Sequence, residues 1–247
     1  MEDNGVNLQV LGCGDAFSSG GNFNTCFYLN SSGFQVLLDC GVTSLLAIKK
    51  HKLSTLEIDM IAISHFHGDH FGGLPFFLLD ASTFGRTKPL TIISPPGCKE
   101  KLEQAVNLLY PGSSVLNKFP IEFISYQAHT PVKSGPVTVE AFPVVHTEQT
   151  LPHGLRITIN DKTVGFSGDT SWTDELFGIA HDADLFICEC NFYDMELKGH
   201  LNYQTILSYR DKLKCKRILL THMGEQMLEK TGEIEMDYAW DGRKITI

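Results

Sequence analysis

The chain has 247 residues, of which 43% are hydrophobic and 20% charged, with a formal net charge of −9. That length and apolar content exclude a disordered chain and set one domain over residues 1–247 as the expectation. The acidic balance disfavours a dedicated nucleic-acid binder, because it repels a phosphate backbone; an enzyme is less constrained, since bound cations reverse the local sign.

Short apolar runs alternate with turn signals along the whole chain. Residues 6–11 read as a first strand, and 25–29 and 34–38 as the next two, joined by the turn-rich Asn30-Ser31-Ser32-Gly33. Residues 43–50 suit a short helix, 60–64 a buried strand, and 72–79 a helix. Residues 90–94 form a strand stopped by Pro95-Pro96, and 98–109 have helical spacing that ends at Pro111-Gly112. Residues 119–125, 137–143, 155–159 and 163–166 read as strands, the last two joined by Asn160-Asp161. A helix over 173–180, a strand over 185–190, a helix over 203–213, and strands over 217–221 and 244–247 complete the series. The pattern predicts an α/β (α+β) chain with two sheets and helices on their outer faces.

The N-terminal Met1-Glu2-Asp3-Asn4-Gly5 lacks a basic region followed by an apolar one, and no apolar stretch approaches 18 residues. The expectation is a cytoplasmic protein without a membrane span. The cysteines Cys13, Cys26, Cys40, Cys98, Cys188, Cys190 and Cys215 are odd in number and form no CxxC motif. They read as buried, reduced thiols in a reducing compartment.

Chemistry concentrates in Ser64-His65-Phe66-His67-Gly68-Asp69-His70-Phe71-Gly72-Gly73. Four metal-competent side chains fall within six residues, and a strand-to-helix turn there would send His65 and His67 one way, Asp69 and His70 another. Imidazole with carboxylate suits Zn²⁺, and also Mn²⁺ or Fe²⁺. Gly68, Gly72 and Gly73 would let the backbone turn tightly. Further candidates sit just past predicted strands: His146 in Val-Val-His-Thr, Asp169 in Phe-Ser-Gly-Asp-Thr and His222 in Leu-Leu-Thr-His-Met. Strand ends converge on one sheet edge, where loops build sites. Glu189 is flanked by apolar residues and needs a buried partner, for which His200 is the natural choice. His51, His129 and His181 read as solvated or structural, and His153 as close to the cleft but not a ligand. Gly12-x-Gly14 lacks the third glycine of a dinucleotide fingerprint and reads as a tight turn near the metal edge.

With these residues in place, the sequence resembles the metallo-β-lactamase superfamily over nearly its whole length. His-x-His-x-Asp-His is that superfamily's hallmark. The resemblance implies an αββα sandwich of two mixed sheets flanked by helices, with a dinuclear site at one edge. Carried over by position, His65, His67 and His146 would hold one metal, Asp69, His70 and His222 the other, and Asp169 would bridge them. A bridging aspartate is typical of the phosphodiesterase and ribonuclease Z-like branches, whereas the β-lactamases tend to have cysteine there. Leu11-Gly12-Cys13-Gly14-Asp15, Leu37-Leu38-Asp39-Cys40-Gly41, Ile187-Cys188-Glu189-Cys190-Asn191-Phe192, Gly199-His200-Leu201 and Trp240-Asp241-Gly242 also resemble that branch.

The implied function is a hydrolase using two divalent ions, Zn²⁺ first, on a small or cyclic phosphodiester through a metal-bridging hydroxide. Asp69 would orient or deprotonate the nucleophile, and His200, held by Glu189, would donate to a phosphoryl or leaving oxygen. Alternatives are a ribonuclease Z-like RNA-processing endonuclease, a thioester or lactone hydrolase, and a non-enzymatic binding module. No insertion corresponds to the long tRNA-gripping arm of ribonuclease Z, so RNA is disfavoured as a substrate. The resembled branch commonly forms homodimers.

Overall fold

The computed structural model describes residues 5–247, so Met1–Asn4 of the N-terminal stretch lie outside the described residues. The described strands form two sheets. The first holds β1 (Asn7–Gly12), β2 (Cys26–Ser31), β3 (Phe34–Leu38), β4 (Met60–Ala62), β5 (Leu90–Ser94), β6 (Ile121–Ser125) and β13 (Lys244–Thr246), in the order β13-β1-β2-β3-β4-β5-β6. The second holds β7 (Val132–Ser134), β8 (Val137–Pro143), β9 (His153–Ile159), β10 (Lys162–Phe166), β11 (Leu185–Glu189) and β12 (Ile218–Thr221), in the order β12-β11-β10-β9-β8-β7. Both are mixed. β13, β1, β2 and β3 pair antiparallel and β3 through β6 parallel, while β7 through β10 pair antiparallel and β10 through β12 parallel.

Strand side chains alternate between two buried faces. Phe27, Leu29, Val36, Leu38, Met60 and Ala62 point into the core shared with Val139, Leu155, Ile157, Phe166, Leu185 and Ile187 of the opposite sheet. Their neighbours Tyr28, Leu37 and Ile61 point outward, where α1 (Ser44–Lys50), α3 (Leu74–Thr83) and α4 (Cys98–Leu109) cover them with Ile48, Phe77 and Leu102. On the other side, Phe186 and Cys188 lie under α5 (Glu175–Ala180), α6 (Tyr203–Tyr209) and α7 (Glu225–Glu229). The result is the expected αββα sandwich. Because both faces are covered, the strands read as continuous apolar runs.

The expected elements are found within a few residues, with three differences. The helix expected over 72–79 is α3, shifted to 74–83 with Pro75 in its first turn, and a further short helix, α2 (Gly68–Phe71), precedes it inside the histidine cluster. Gly72-Gly73 favours a break there, and proline is tolerated at a helix start. Helix α6 ends at Tyr209, and residues 210–212 tighten into a 3₁₀ turn. β7 and α7 were absent from the sequence reading, because three and five residues are too short to display a period. No helix among the described residues is long and apolar enough to cross a membrane.

Candidate metal centre

The parallel pairing aligns the C-terminal ends of β3 and β4 in one sheet and of β10, β11 and β12 in the other. β8, two antiparallel steps from β10, runs the same way. Asp39, the His65–His70 segment, His146, Asp169 and His222 follow these ends and Glu189 closes β11, so strand direction gathers each sheet's donors at its own C-terminal edge. Two of them, Asp39 (φ 60°) and His222 (φ 57°), sit in the left-handed region. That region is uncommon for residues other than glycine and turns both side chains back into the site.

The seven predicted ligands converge as two groups that share Asp169: His65, His67, His146 and Asp169, and Asp69, His70, Asp169 and His222, the donor atoms of each lying within 4.8 Å of one another. In the first, His67 Nδ1 lies 3.2 Å from His65 Nε2 and 2.9 Å from His146 Nε2. In the second, Asp69 Oδ2 is 3.2 Å from both His70 Nε2 and His222 Nε2, and Asp169 Oδ1 is 3.2 Å from His70 Nε2.

Outer partners dictate which nitrogens face inward. The Gly199 carbonyl can only accept, so His146 donates to it from Nδ1 at 2.7 Å and presents a bare Nε2 to the cluster. Asp39 Oδ2 likewise accepts from His70 Nδ1 at 2.6 Å. The same carboxylate accepts from Ser64 N and Ser64 Oγ, both at 2.7 Å, which ties His70 to the residue preceding His65. The buried Tyr126 hydroxyl, within 3.0 Å of the Ser64 carbonyl, braces that backbone from the other side. Buried His70 Nε2 and Asp169 Oδ1 have no hydrogen-bond partner despite their proximity. Converging imidazole nitrogens and carboxylate oxygens, two of them without a hydrogen-bond partner, fit divalent cations of the Zn²⁺, Mn²⁺ or Fe²⁺ kind.

Charge is balanced within the cluster. Burial, with nearby imidazoles, pushes His65 well below its usual range; burial also lowers His67 and His146. These three are neutral and ready to donate lone pairs. Burial opposes the charge on His70 and His222, but the carboxylates outweigh it: Asp169, Asp69 and Asp39 hold His70 high, and Asp169 and Asp69 bring His222 up to about 9. Against burial, the imidazoles His222 and His70 hold Asp169 well below the carboxylate range, and His70 and His222 hold Asp69 there.

Glu189 and His200 form a third group with His222, which the second group also contains. Fully buried Glu189 accepts from His200 Nδ1 at 3.2 Å and from Thr170 N at 2.6 Å through Oε1, and from Leu201 N at 3.2 Å through Oε2. One carboxylate thus fixes both the backbone after Asp169 and the loop that carries His200. Burial raises the Glu189 carboxyl against the pull of His200, and Glu189 in turn raises His200 against burial. Asp15, Phe17, His67, Asp69, His146, Asp169, Asn191, Phe192, Leu197, His200 and His222 are among the residues lining a cavity of about 250 Å³. A hollow of about 760 Å³ adjoins it at His146, with His153 on its wall. Another of about 610 Å³ lies at residues 210–218 and 235–237, which contribute nothing to the three groups. Donor chemistry, not size, selects the smaller cavity.

Some contributors were missed in the sequence or read for another reason. Asp39 was noted only within a family-like stretch, although an aspartate directly after an apolar strand signals a turn. Asn191, which donates to the His222 carbonyl at 3.0 Å, was likewise noted only within such a stretch, and Tyr126 gave no signal. Gly68 needs no small side chain, since an added Cβ would meet nothing within 4 Å, whereas one on Gly73 would lie 2.1 Å from the Gly41 carbonyl oxygen. Gly12 permits the close approach expected of it, as its Cβ would lie 2.0 Å from the Asn24 carbonyl oxygen.

The fold and donor set define the class: a metal-dependent hydrolase of the metallo-β-lactamase superfamily, in its ribonuclease Z-like and phosphodiesterase branch. Within it, the chain belongs to the family described as anti-Pycsar protein Apyc1, whose model matches residues 6–241. It is 28% identical to the probable metallo-hydrolase YhfI of Bacillus subtilis (strain 168), over 88% of this chain and 87% of that one. It is 24% identical to ribonuclease Z of Clostridium acetobutylicum, over 98% of each chain. That alignment runs to 302 positions, so the relative carries residues with no counterpart here. A diphosphatase from the PhnP family superposes with a TM-score of 0.78 at 18% identity, covering 97% of each chain.

Proposed function

We propose that the protein is a dinuclear metal-dependent phosphodiesterase, one domain over residues 1–247, acting on a small or cyclic phosphodiester. The observation that carries this reading is the pair of ligand groups sharing Asp169, of which His67, Asp69, His146, Asp169 and His222 line a cavity of about 250 Å³. The cavity opens onto the hollow of about 760 Å³ at His146, so what favours a small diester is the net charge of −9 and the residues of ribonuclease Z that have no counterpart here. His65, His67 and His146 would hold one ion, Asp69, His70 and His222 the second, and Asp169 both. Two divalent ions there, zinc in this proposal, would make a water acidic enough to attack near neutral pH and would neutralise charge on the phosphoryl oxygens.

The protein's own groups divide the remaining work. Asp69, kept a carboxylate by the ion it would ligate, would accept a hydrogen bond from the attacking water and so orient it. His200 is fixed through Nδ1 by Glu189, which leaves Nε2 to donate a proton to the leaving oxygen. Thr147 follows His146, so no second imidazole adjoins that ligand to share the task. The seven cysteines are unpaired, which supports a reducing, cytoplasmic setting.

RNA processing is the competing reading raised by the ribonuclease Z relatives. The net charge of −9 and the residues missing relative to that enzyme argue against it. A panel of bis(p-nitrophenyl) phosphate, cyclic nucleotides and precursor tRNA tests the proposal. Turnover of the small diesters is expected; cleavage of precursor tRNA alone would transfer the protein to the competing reading.

A further inference from the structure

The cavity's lip carries a feature that neither metal binding nor folding explains. Phe17 is 89% exposed, yet it lines the metal cavity. Single exposed apolar residues are ordinary, and Phe84 and Leu108 are examples that lie outside this cavity. Phe17 differs in its company: Phe192 and Leu197 line the same cavity, and Leu197 is itself 49% exposed.

The backbone holds Phe17 in place. Asp15 is buried and acts as a local anchor, accepting from Phe17 N at 3.2 Å, Ser19 N at 2.9 Å and Ser19 Oγ at 2.8 Å. Its carbonyl accepts from Ser18 N at 3.2 Å and Asn24 Nδ2 at 2.9 Å. Ser18 (φ 57°), Gly20 (φ 64°) and Gly21 (φ 77°) are left-handed, so the segment is a tight, internally bonded turn. The backbone beneath the ring is therefore fixed at the mouth, and binding has only the side-chain rotamer left to order.

We infer that Phe17 is a specificity residue that stacks on a flat aromatic ring carried by the phosphoester substrate, with Leu197 and Phe192 as the apolar wall. This rests on the phosphodiesterase reading and names the substrate's second half: a planar group one ester oxygen from phosphorus. Aromatic stacking in water-exposed sites suffices for about a tenfold preference.

The test uses zinc-loaded protein and two phosphate monoesters that differ only in their substituent, phenyl phosphate and methyl phosphate. Calorimetric titration is expected to give about tenfold tighter binding of the phenyl ester to the unaltered protein. Phe17→Ala should bring that ratio close to one, and Phe17→Tyr should keep it. Because Phe17 buries so little, the alanine variant is expected to fold with unchanged circular dichroism. A ratio near one in the unaltered protein, or a ratio that Phe17→Ala leaves intact, would overturn the inference. So would a change of oligomeric state in Phe17→Ala with the ratio preserved, which would put the ring in a subunit contact. Hydrolysis of bis(p-nitrophenyl) phosphate is measured in parallel. If the phenyl preference holds without any turnover, the stacking role stands and the phosphodiesterase reading fails.

Discussion

At the scale of single residues, the centre is arranged by side chains that would touch neither metal nor substrate. Asp39 orients His70 while pinning Ser64, and Glu189 pins Thr170 while holding His200. His200→Ala removes the proposed proton donor and leaves both ligand groups whole. It should lower kcat by about 10²–10⁴-fold with metal content unchanged, measured by steady-state kinetics and elemental analysis. Loss of metal in that variant would show that His200 holds the site together instead. Gly41 makes a different demand. A Cβ there would lie 2.1 Å from the Asp69 carbonyl oxygen. Gly41→Ala should therefore cost about 1–3 kcal/mol in urea unfolding and reduce metal retention, because the turn bearing Asp69 and His70 must shift.

At the scale of elements, legibility followed length and chemical contrast. Residues 90–94 and 98–109 show their strand and helix directly, since an apolar run ends at Pro95-Pro96 and the spacing after it is helical. α2 did not show, because only Phe71 of its four residues is apolar and two of the others, Asp69 and His70, are ligands, and its boundary is set by packing against residues 40–41. The Cys40 N–H donates to the His70 carbonyl at 2.7 Å, and the Gly73 N–H to the Cys40 carbonyl at 2.8 Å. Asp39's role needs two strands brought side by side, which no local pattern encodes. The His65–His70 cluster was legible because its donors are dense within six residues. Assigning His146, Asp169 and His222 to it relied on resemblance and on their place after strands.

A second element-scale link lies away from the centre. Asp237 accepts from Arg217 just before β12 and from Arg243 just before β13, tying the two sheets' edges. Burial would raise the Asp237 carboxyl, but hydrogen bonds from Arg243 and Arg217 win and lower it. A carboxyl lowered on folding stabilises above its unfolded pKa, about 3.9, and loses that contribution as pH falls through the folded value. The side chain is 34% exposed, so solvent screening limits the worth of the link to about 1 kcal/mol. Asp237→Asn should be less stable by that amount at pH 7, and the gap should narrow as pH falls below the unfolded value of about 3.9 in denaturant titrations. A gap independent of pH would mean that packing, not charge, is the contribution.

At the scale of the whole molecule, the centre joins the sheets. His65, His67, Asp69 and His70 come from the first sheet's edge, and His146, Asp169 and His222 from the second's. Ions held between them should therefore stabilise the sandwich as a unit. At a free metal concentration a hundredfold above Kd, each ion contributes about 2.7 kcal/mol, so two give a Tm rise of roughly 10–20 °C for a chain of this size. Differential scanning calorimetry before and after chelation reads that shift; an unchanged Tm would indicate ligands that fold the same way without metal.

The central claim, two ions shared through Asp169 and required for phosphodiester hydrolysis, is tested most directly by adding Zn²⁺ back to chelated protein. Hydrolysis of bis(p-nitrophenyl) phosphate is followed as zinc is titrated in. The account predicts no turnover without metal and a rise that saturates at two equivalents per chain. Full turnover in the chelated protein, or saturation at a single equivalent, would contradict it.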